Sequence, residues 1–220
     1  KAVDPDARYY GPFRGSGRAA LALRVLNDAL GLRDCAQDRP MVLADQPEFF
    51  ESPLAPGCLR HDFGTCLGPC AAKCSADRYG AAVRTAVDFL EGRTAEPIGK
   101  VLEVMSDAAE HADFERAAVW LEKLEALEWL FGAVARLSTA LEALSFVYTV
   151  HDVTGHKDDR AYLIRRGLVL AEAPLPRTPI EKLAFAGSVE RHTAMPAPAL
   201  AARTATEMDQ LLLVTSWFRQ

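Results

Sequence analysis

The stretch GCLRHDFGTCLGPCAAKC, residues 57–74, holds four of the five cysteines of this 220-residue chain. The fifth is Cys35, upstream of it. From Arg33 to Lys73 the sequence has little hydrophobic periodicity and many Pro, Gly and Asp residues, which predicts an irregular loop. Because such a loop has few apolar side chains with which to hold its shape, we expect something other than a hydrophobic core to fix it.

The dense part of the cluster has the spacing C-x7-C-x3-C-x3-C, formed by Cys58, Cys66, Cys70 and Cys74. Four thiolates can close around a tetrahedral zinc ion or a cubane iron–sulfur cluster. Structural disulfides would need an oxidising compartment, of which the sequence gives no sign. Unliganded core cysteines would not gather in a loop rich in Gly and Pro. Zinc stays the alternative on chemistry alone, although zinc sites usually pair short C-x2–4-C spacings.

Helical periodicity flanks this loop. A first helix is predicted from about Gly17 to Leu30, and a second from a Ser75 cap to a stop at Gly92. The apolar stripe expected on the second helix is Tyr79, Val83, Val87 and Leu90.

A third helix is predicted to open at Pro97, and a fourth to run from Asp113 to Leu144. The two are predicted to be antiparallel, with a short turn near Ala112. One face of the third helix is expected to be buried, and it contains Ile98, Val101, Leu102, Met105 and Ala109. Since the fourth helix is much longer than its partner, it is predicted to connect two packing units.

The last third of the chain changes to β-branched and aromatic residues, which predict a three-stranded antiparallel meander followed by two helices. The predicted strands are Phe146–Val150, Ala161–Ile164 and Leu168–Leu170, with turns at Thr154–Asp158 and Arg166–Gly167. The capping boxes that open the two helices pair Thr178 with Glu181 and Thr204 with Glu207.

The predicted fold class is therefore mainly α with a small antiparallel β-meander. Three regions are expected: a cysteine-cluster region with flanking helices over residues 1–95, a helical hairpin with a long connecting helix over 96–145, and a C-terminal α+β unit over 146–220. The net charge of −5 argues against an unaided high-affinity nucleic-acid binder but leaves local basic patches open. We expect no membrane segment and a cytoplasmic location. Without an initiator Met, the chain looks like a fragment of a longer protein.

The cysteine loop resembles the excinuclease C family pattern L-R-x-C … P-C-L … G-x-C-L-G-P-C, through Leu32–Cys35, Pro56–Leu59 and Gly64–Cys70. In that family four thiolates hold a [4Fe–4S] cluster, and the ligands that the resemblance implies are Cys35, Cys58, Cys66 and Cys70. The gap between Cys35 and Cys58 is longer than usual in the family, so Cys74 is the alternative fourth ligand. Both a structural role and redox sensing of damaged DNA stay open, because potential depends on the surroundings of the sulfurs.

The opening segment Ala7–Phe13 resembles the element that follows the GIY-YIG nuclease domain in excinuclease C. The resemblance implies that the catalytic residues lie before Lys1. We therefore expect the region itself to be non-catalytic and its parent protein to be a DNA endonuclease. The segment from His156 to Arg166 resembles the tail of proteins that fuse a proofreading-type 3′–5′ exonuclease domain to an excinuclease C-like half.

Four arginines surround a Gly/Ser turn that leads into a helix N-terminus, an arrangement suited to meeting a phosphate. These candidate DNA contacts are Arg8, Arg14, Arg18 and Arg24. A solvated basic face is the alternative.

Residues 102–118 resemble the UVR motif through the pattern M-x2-A-A-x4-F-E-x-A-A, which begins at Met105. In that family the hairpin pairs with a matching hairpin on excinuclease B, which the resemblance implies as a partner beside DNA. The contact residues implied are Phe114, Glu115, Ala117 and Ala118. The sequence departs from the family at Val119–Leu124, so packing of the hairpin within its own chain is the alternative.

Taken together, the resemblances imply the non-catalytic iron–sulfur and UVR half of a nuclease of nucleotide excision repair, which positions an upstream GIY-YIG domain on DNA. Two alternatives remain at this point. One is an interaction module that recruits a repair partner such as excinuclease B, and the other is a zinc-stabilised structural domain.

Overall fold

The computed structural model of the protein describes residues 7–13, 15–35, 40–45, 58–152, 158–195 and 203–218. Within these ranges it contains seven helices and one three-stranded sheet, which confirms the mainly α fold class with a small antiparallel sheet. The helices are α1 (Ser16–Leu30), α2 (Leu59–Asp62), α3 (Ala76–Leu90), α4 (Glu96–Glu110), α5 (Phe114–Ala143), α6 (Pro179–Ala194) and α7 (Ala205–Trp217). The strands are β1 (Phe146–Val150), β2 (Arg160–Arg165) and β3 (Leu168–Pro174). None of the described helices combines the length and the apolar character needed to cross a bilayer.

The chain divides into two compact units, which we name the cysteine unit and the sheet unit. The cysteine unit is Pro12–Val134, and the sheet unit combines Lys1–Gly11 with Ala135–Gln220. Helix α5 passes from the one into the other between Val134 and Ala135. The sequence boundary expected at residues 95–96 falls inside the cysteine unit.

The core of the cysteine unit is a single buried cluster to which α1, α3, α4 and α5 all contribute. Val101 of α4 and Leu124 of α5 belong to it and lie at similar distances along the chain from the turn at Ala112, as expected for an antiparallel pair. The rings of Phe89 and Phe131 pack with their centroids 5.4 Å apart. The helical hairpin is thus anchored to α1 and α3 by apolar contacts.

Two of the predicted core faces are rotated. On α3 the buried residues are Ala86 and Phe89, whereas Val83 is 41% exposed. On α4, Val101 and Ala108 are buried but Leu102 is 44% exposed. The difference has a physical reason, since the neighbouring helices decide which part of a broad apolar stripe is covered.

The helix ends follow their sequence signals. The Ser75 hydroxyl accepts a hydrogen bond from the Arg78 N–H at 3.2 Å, and the Asp113 carboxylate accepts one from the Arg116 N–H at 3.1 Å. Both capping boxes, at Thr178 and Thr204, are formed as predicted.

The sheet unit contains the predicted meander, ordered β1-β2-β3 with both pairs antiparallel. The register is interrupted between Leu163 and Ile164. The turn at Arg166–Gly167 is present, and the loop predicted at Thr154–Asp158 lies almost wholly outside the described residues. Residues buried in this unit include Leu141, Ala161, Leu163, Ile164, Leu168, Leu211 and Val214.

The first part of the opening motif, Ala7–Gly11, belongs to the sheet unit. Tyr9 and Arg203 exchange two backbone hydrogen bonds, at 2.7 and 2.9 Å, in an antiparallel bridge. The Arg203 side chain is buried and donates from Nη2 to the carbonyl of Arg166 at 2.7 Å. Burial lowers the pKa of this guanidinium.

Candidate metal site in the cysteine loop

The cysteine loop, residues 58–75, is held by backbone hydrogen bonds to two other segments. Val42 and Ala44 bond to Pro69, Ala72 and Cys74, at distances of 2.7 to 2.9 Å. The N–H of Leu67 donates to the carbonyl of Gly31 at the end of α1, at 2.8 Å. The loop also contains the short helix α2, where the sequence predicted only irregular backbone.

Gly31 permits the close approach of α1 to the loop. Its φ of 67° ends α1 in the left-handed region that favours glycine. A Cβ at this position would lie 2.8 Å from Cγ of Leu67. Any larger residue would therefore push the loop away from the helix end.

The five cysteines are free thiols that differ in exposure. Cys66 and Cys74 are buried, at 6% and 3% exposure, whereas Cys58 and Cys70 are half-buried and Cys35 is exposed. Four thiols thus lie in or at the edge of one loop, and the fifth follows the end of α1. The residues that connect Cys35 to Cys58 are described only in part, at 40–45.

Burial and neighbouring thiols act together on the pKa values of the two buried cysteines, Cys66 and Cys74. Burial raises the pKa of Cys66, as do the neighbouring thiols of Cys58 and Cys70, while a hydrogen bond from the Gly68 N–H at 3.4 Å lowers it. Burial is also the main cause that raises the pKa of Cys74, with further contributions from Cys66 and Cys70. Cys66 and Cys74 therefore resist ionising unless a cation or a cluster compensates their charge.

The donor chemistry fits a thiolate-bound centre, although the described side chains do not yet converge on one. Within the described ranges, no three Cys, His, Asp or Glu side chains are placed to hold a metal ion as they stand. Soft thiols are the donors preferred by zinc and by iron–sulfur clusters. The Gly68 N–H already points at the sulfur of Cys66, as N–H groups do around ligated thiolates.

One residue of the site was not singled out from the sequence. Arg60 of α2 bonds Asp28 through Nη2 and Asp34 through Nη1, both at 2.7 Å. Its Nη2 also donates to the carbonyl of Thr65 at 3.3 Å. Among the described residues, its buried Nε has no hydrogen-bond partner. The position of Asp34 next to Cys35, and of Arg60 two residues after Cys58, was the available signal.

The candidate DNA contacts are spread over the molecule. Arg8 is exposed in the sheet unit, and Arg18 and Arg24 are exposed on α1 of the cysteine unit. The Arg18 guanidinium lies over the Trp129 ring, 5.5 Å from its centroid. Arg14 lies outside the described residues. Contact of these arginines with DNA stays a prediction.

The hairpin residues implied as partner contacts lie mostly on the surface. Phe114 is 70% exposed, Glu115 and Ala118 are exposed, and Ala117 is half-buried. With Leu121, which is 46% exposed, Phe114 and Ala118 follow the spacing i, i+4, i+7 and so form one apolar stripe on α5. We call these three residues the α5 stripe.

Comparison with known proteins supports the sequence resemblance. Residues 1–89 match the family model described as the middle domain of the UvrC/Cho excinuclease. UvrABC system protein C of Sphingopyxis alaskensis is 36% identical over 126 residues, which cover 57% of this chain and 18% of that protein. The protein of the same name from Chelativorans sp. is 30% identical over 159 residues, or 72% of this chain and 22% of the relative.

A third relative, UvrABC system protein C of Desulforudis audaxviator, is 33% identical over 136 residues, or 62% of this chain and 20% of that protein. The matched part thus spans about a fifth of the length of these curated relatives. No solved structure matches the chain. The family model covers the part of the chain that carries all five cysteines, and together with the relatives it supports a UvrC-like region.

Proposed function

We propose that this chain is the non-catalytic, cluster-bearing half of a UvrC-like nuclease of nucleotide excision repair, and that it positions an upstream nuclease domain on DNA. The observation that carries the proposal is the grouping of Cys58, Cys66 and Cys70 in one braced loop within the region matched by the family model. Cys35 is the proposed fourth ligand of a [4Fe–4S] cluster, with Cys74 as the alternative.

When bound, such a cluster would crosslink the loop and could carry a single electron. The chain's own residues would stabilise the ligands and position the loop. The Gly68 N–H would stabilise negative charge on the sulfur of Cys66, and the bonds from Val42 and Ala44 would hold the loop against its neighbouring segment. Zinc on the same thiolates is the alternative occupant.

Anaerobic purification followed by metal analysis tests the cluster. We expect a brown protein with absorbance near 400 nm and about four irons per chain, as a cubane on four thiolates requires. A colourless protein that contains zinc instead would refute the cluster and leave the structural zinc domain. Parallel Cys35→Ser and Cys74→Ser variants decide the fourth ligand, because only loss of the true ligand should reduce the iron content.

A second function, recruitment of a repair partner through the hairpin, is favoured by the exposed α5 stripe. The partner implied by the family resemblance is an excinuclease B-like protein. Phe114→Ala should weaken capture by that protein at least tenfold if the exposed ring is a central contact. Val119→Ala is the matched control, since Val119 is 53% exposed on the same helix but off the α5 stripe. Equal binding by both variants would refute docking through Phe114.

DNA contact through Arg8, Arg14, Arg18 and Arg24 completes the proposal. Each phosphate contact that is lost should lower the slope of log K against log salt by about 0.9 on duplex DNA. Arg24→Gln should therefore flatten the salt dependence of binding. Arg93→Gln removes the same charge at a residue already paired with Asp88, and should leave the slope unchanged.

A further inference from the structure

Arg60 connects three segments that carry or adjoin cysteines. It lies in α2, two residues after Cys58, and its two terminal nitrogens reach Asp28 near the end of α1 and Asp34 beside Cys35. Its Nη2 also donates to the carbonyl of Thr65, the residue before Cys66. One guanidinium thus ties the Cys35 segment to the segments of Cys58 and Cys66.

The environment of Arg60 differs from that of an ordinary surface arginine. Its side chain is 30% exposed, and the carboxylates of Asp28 and Asp34 are 25% and 23% exposed. Two half-buried carboxylates at one guanidinium would repel each other if that charge were removed. The buried Nε still has a hydrogen to donate, because it has no partner among the described residues.

Arg93 provides the contrast within the same unit. It also pairs with two carboxylates, those of Asp88 and Glu91, but both lie within five residues of it in sequence. Its side chain is 53% exposed. Arg93 therefore holds together a single local turn, whereas Arg60 joins segments that are 26 to 32 residues away from it in sequence.

We propose that Arg60 is a positioning residue of the cysteine site, which holds the Cys35 segment beside Cys58 and Cys66 and supplies Nε–H as a donor to a sulfur of the bound centre. The proposal rests on the proposed function, because it assumes that a thiolate-bound centre occupies the loop. A fixed cation beside such a centre favours its more negative, reduced form.

The test compares anaerobically prepared protein with Arg60→Met, Arg60→Lys, Asp34→Asn and the control Arg93→Met. The readouts are the rate of iron release to a chelator, the midpoint potential, and the helical circular dichroism as a check on folding. Arg60→Met should release iron about 10- to 100-fold faster, in line with the loss of metal affinity that follows removal of a ligand's hydrogen-bond partner, and should lower the potential. Arg93→Met should leave both readouts unchanged.

The other two variants, Arg60→Lys and Asp34→Asn, separate the positioning effect of Arg60 from the effect of its charge. Lysine keeps the charge but cannot offer two carboxylates a rigid fork, so Arg60→Lys should speed iron release while keeping most of the potential. Asp34→Asn leaves the Asp28 bridge intact and should speed iron release less than Arg60→Met. If Arg60→Met fails to fold, these two variants carry the test.

Iron release and potential in Arg60→Met that equal those of Arg93→Met would overturn the proposal while leaving the cluster itself intact. An unaltered chain that holds neither iron nor zinc would overturn the proposed function, and the role of Arg60 with it. Faster release from Arg60→Met with an unchanged potential would overturn the Nε–H donor and support the positioning role.

Discussion

In the cysteine loop, residues 58–75, the chain is held by backbone bonds to Val42, Ala44 and Gly31 and by the charges around Arg60. In the meander of β1 to β3, the chain is held by two antiparallel ladders and by buried apolar side chains such as Leu163 and Leu168. The loop has little apolar volume to lose, whereas the strands of the meander contain no cysteine, and ion pairs on them such as Arg160 with Glu172 are exposed to solvent and contribute little. We therefore expect stability to depend on a bound metal centre and on charges in the first region, and on packing in the second.

The largest expected difference between the two regions follows metal removal. Ligation by a structural metal is worth on the order of 10 kcal/mol in small zinc domains. Cys66→Ser should therefore raise amide hydrogen exchange across residues 58–75 while exchange in β2 stays unchanged. Mass spectrometry measures exchange in residues 58–75 and in β2 within one sample. Equal protection of the loop with and without metal would show that the loop needs no ligand.

Removal of a buried apolar side chain should destabilise only the meander. Leu163 is 4% exposed in β2, and Leu163→Ala should lower the free energy of unfolding of the sheet unit by about 2–5 kcal/mol, through lost burial and a cavity. Val147→Ala is the control, since Val147 pairs with Leu163 across the sheet but is 44% exposed. Denaturant titration checks both variants. Iron content should not change in either of them, and a change would show that the two regions are coupled.

A smaller loss in the free energy of unfolding is expected when the N-cap of α6 is removed. The Thr178 hydroxyl accepts a hydrogen bond from the Glu181 N–H at 3.2 Å, so Thr178→Ala should cost about 1 kcal/mol. Thr193 lies within the same helix, and its hydroxyl donates to the carbonyls of Val189 and Glu190 in the preceding turn. Thr193→Ala should therefore have little effect on the thermal midpoint, and an equal loss in both variants would argue against the cap.

The smallest effect is a pH dependence in the sheet unit. A hydrogen bond from the Asp152 N–H, followed by the Arg177 side chain, holds the pKa of Asp159 below its usual value. This stabilisation is present above the unfolded pKa of about 3.9 and is lost as pH falls through the lowered pKa of the folded state. Asp159→Asn should flatten the acid limb of stability against pH, and an acid limb that keeps its slope in this variant would contradict the role of Asp159.

Local signals predicted the helix ends and the meander well. A capping box or an alternating strand is complete within a few residues, so its outcome depends little on the rest of the chain. The face of α3 was predicted less well, because Val83 and Phe89 are both apolar and the packing of α1 and α4 decides which is covered. The sequence also gave no helical period long enough to indicate the four-residue α2.

The candidate site was predictable from spacing only in part. Cys58, Cys66 and Cys70 stand close together in sequence, and their proximity in the loop follows from that. The choice between Cys35 and Cys74 depends on the path of the chain between residues 35 and 58, which no local pattern specifies. The role of Arg60 was not predicted, because a charged residue in a polar loop is expected to be solvated. Only the structure shows its partners at Asp28 and Asp34.

The backbone bridge between Tyr9 and Arg203 has a consequence for the order of folding. The sheet unit takes its first segment from before the cysteine unit and the remainder from after it, so the cysteine unit is an insertion within the sheet unit. As the ribosome releases the chain from its N-terminal end, the inserted unit emerges whole while its host still lacks all three strands. The backbone bridge from Tyr9 can therefore close only after nearly two hundred further residues have been synthesised and Arg203 has emerged.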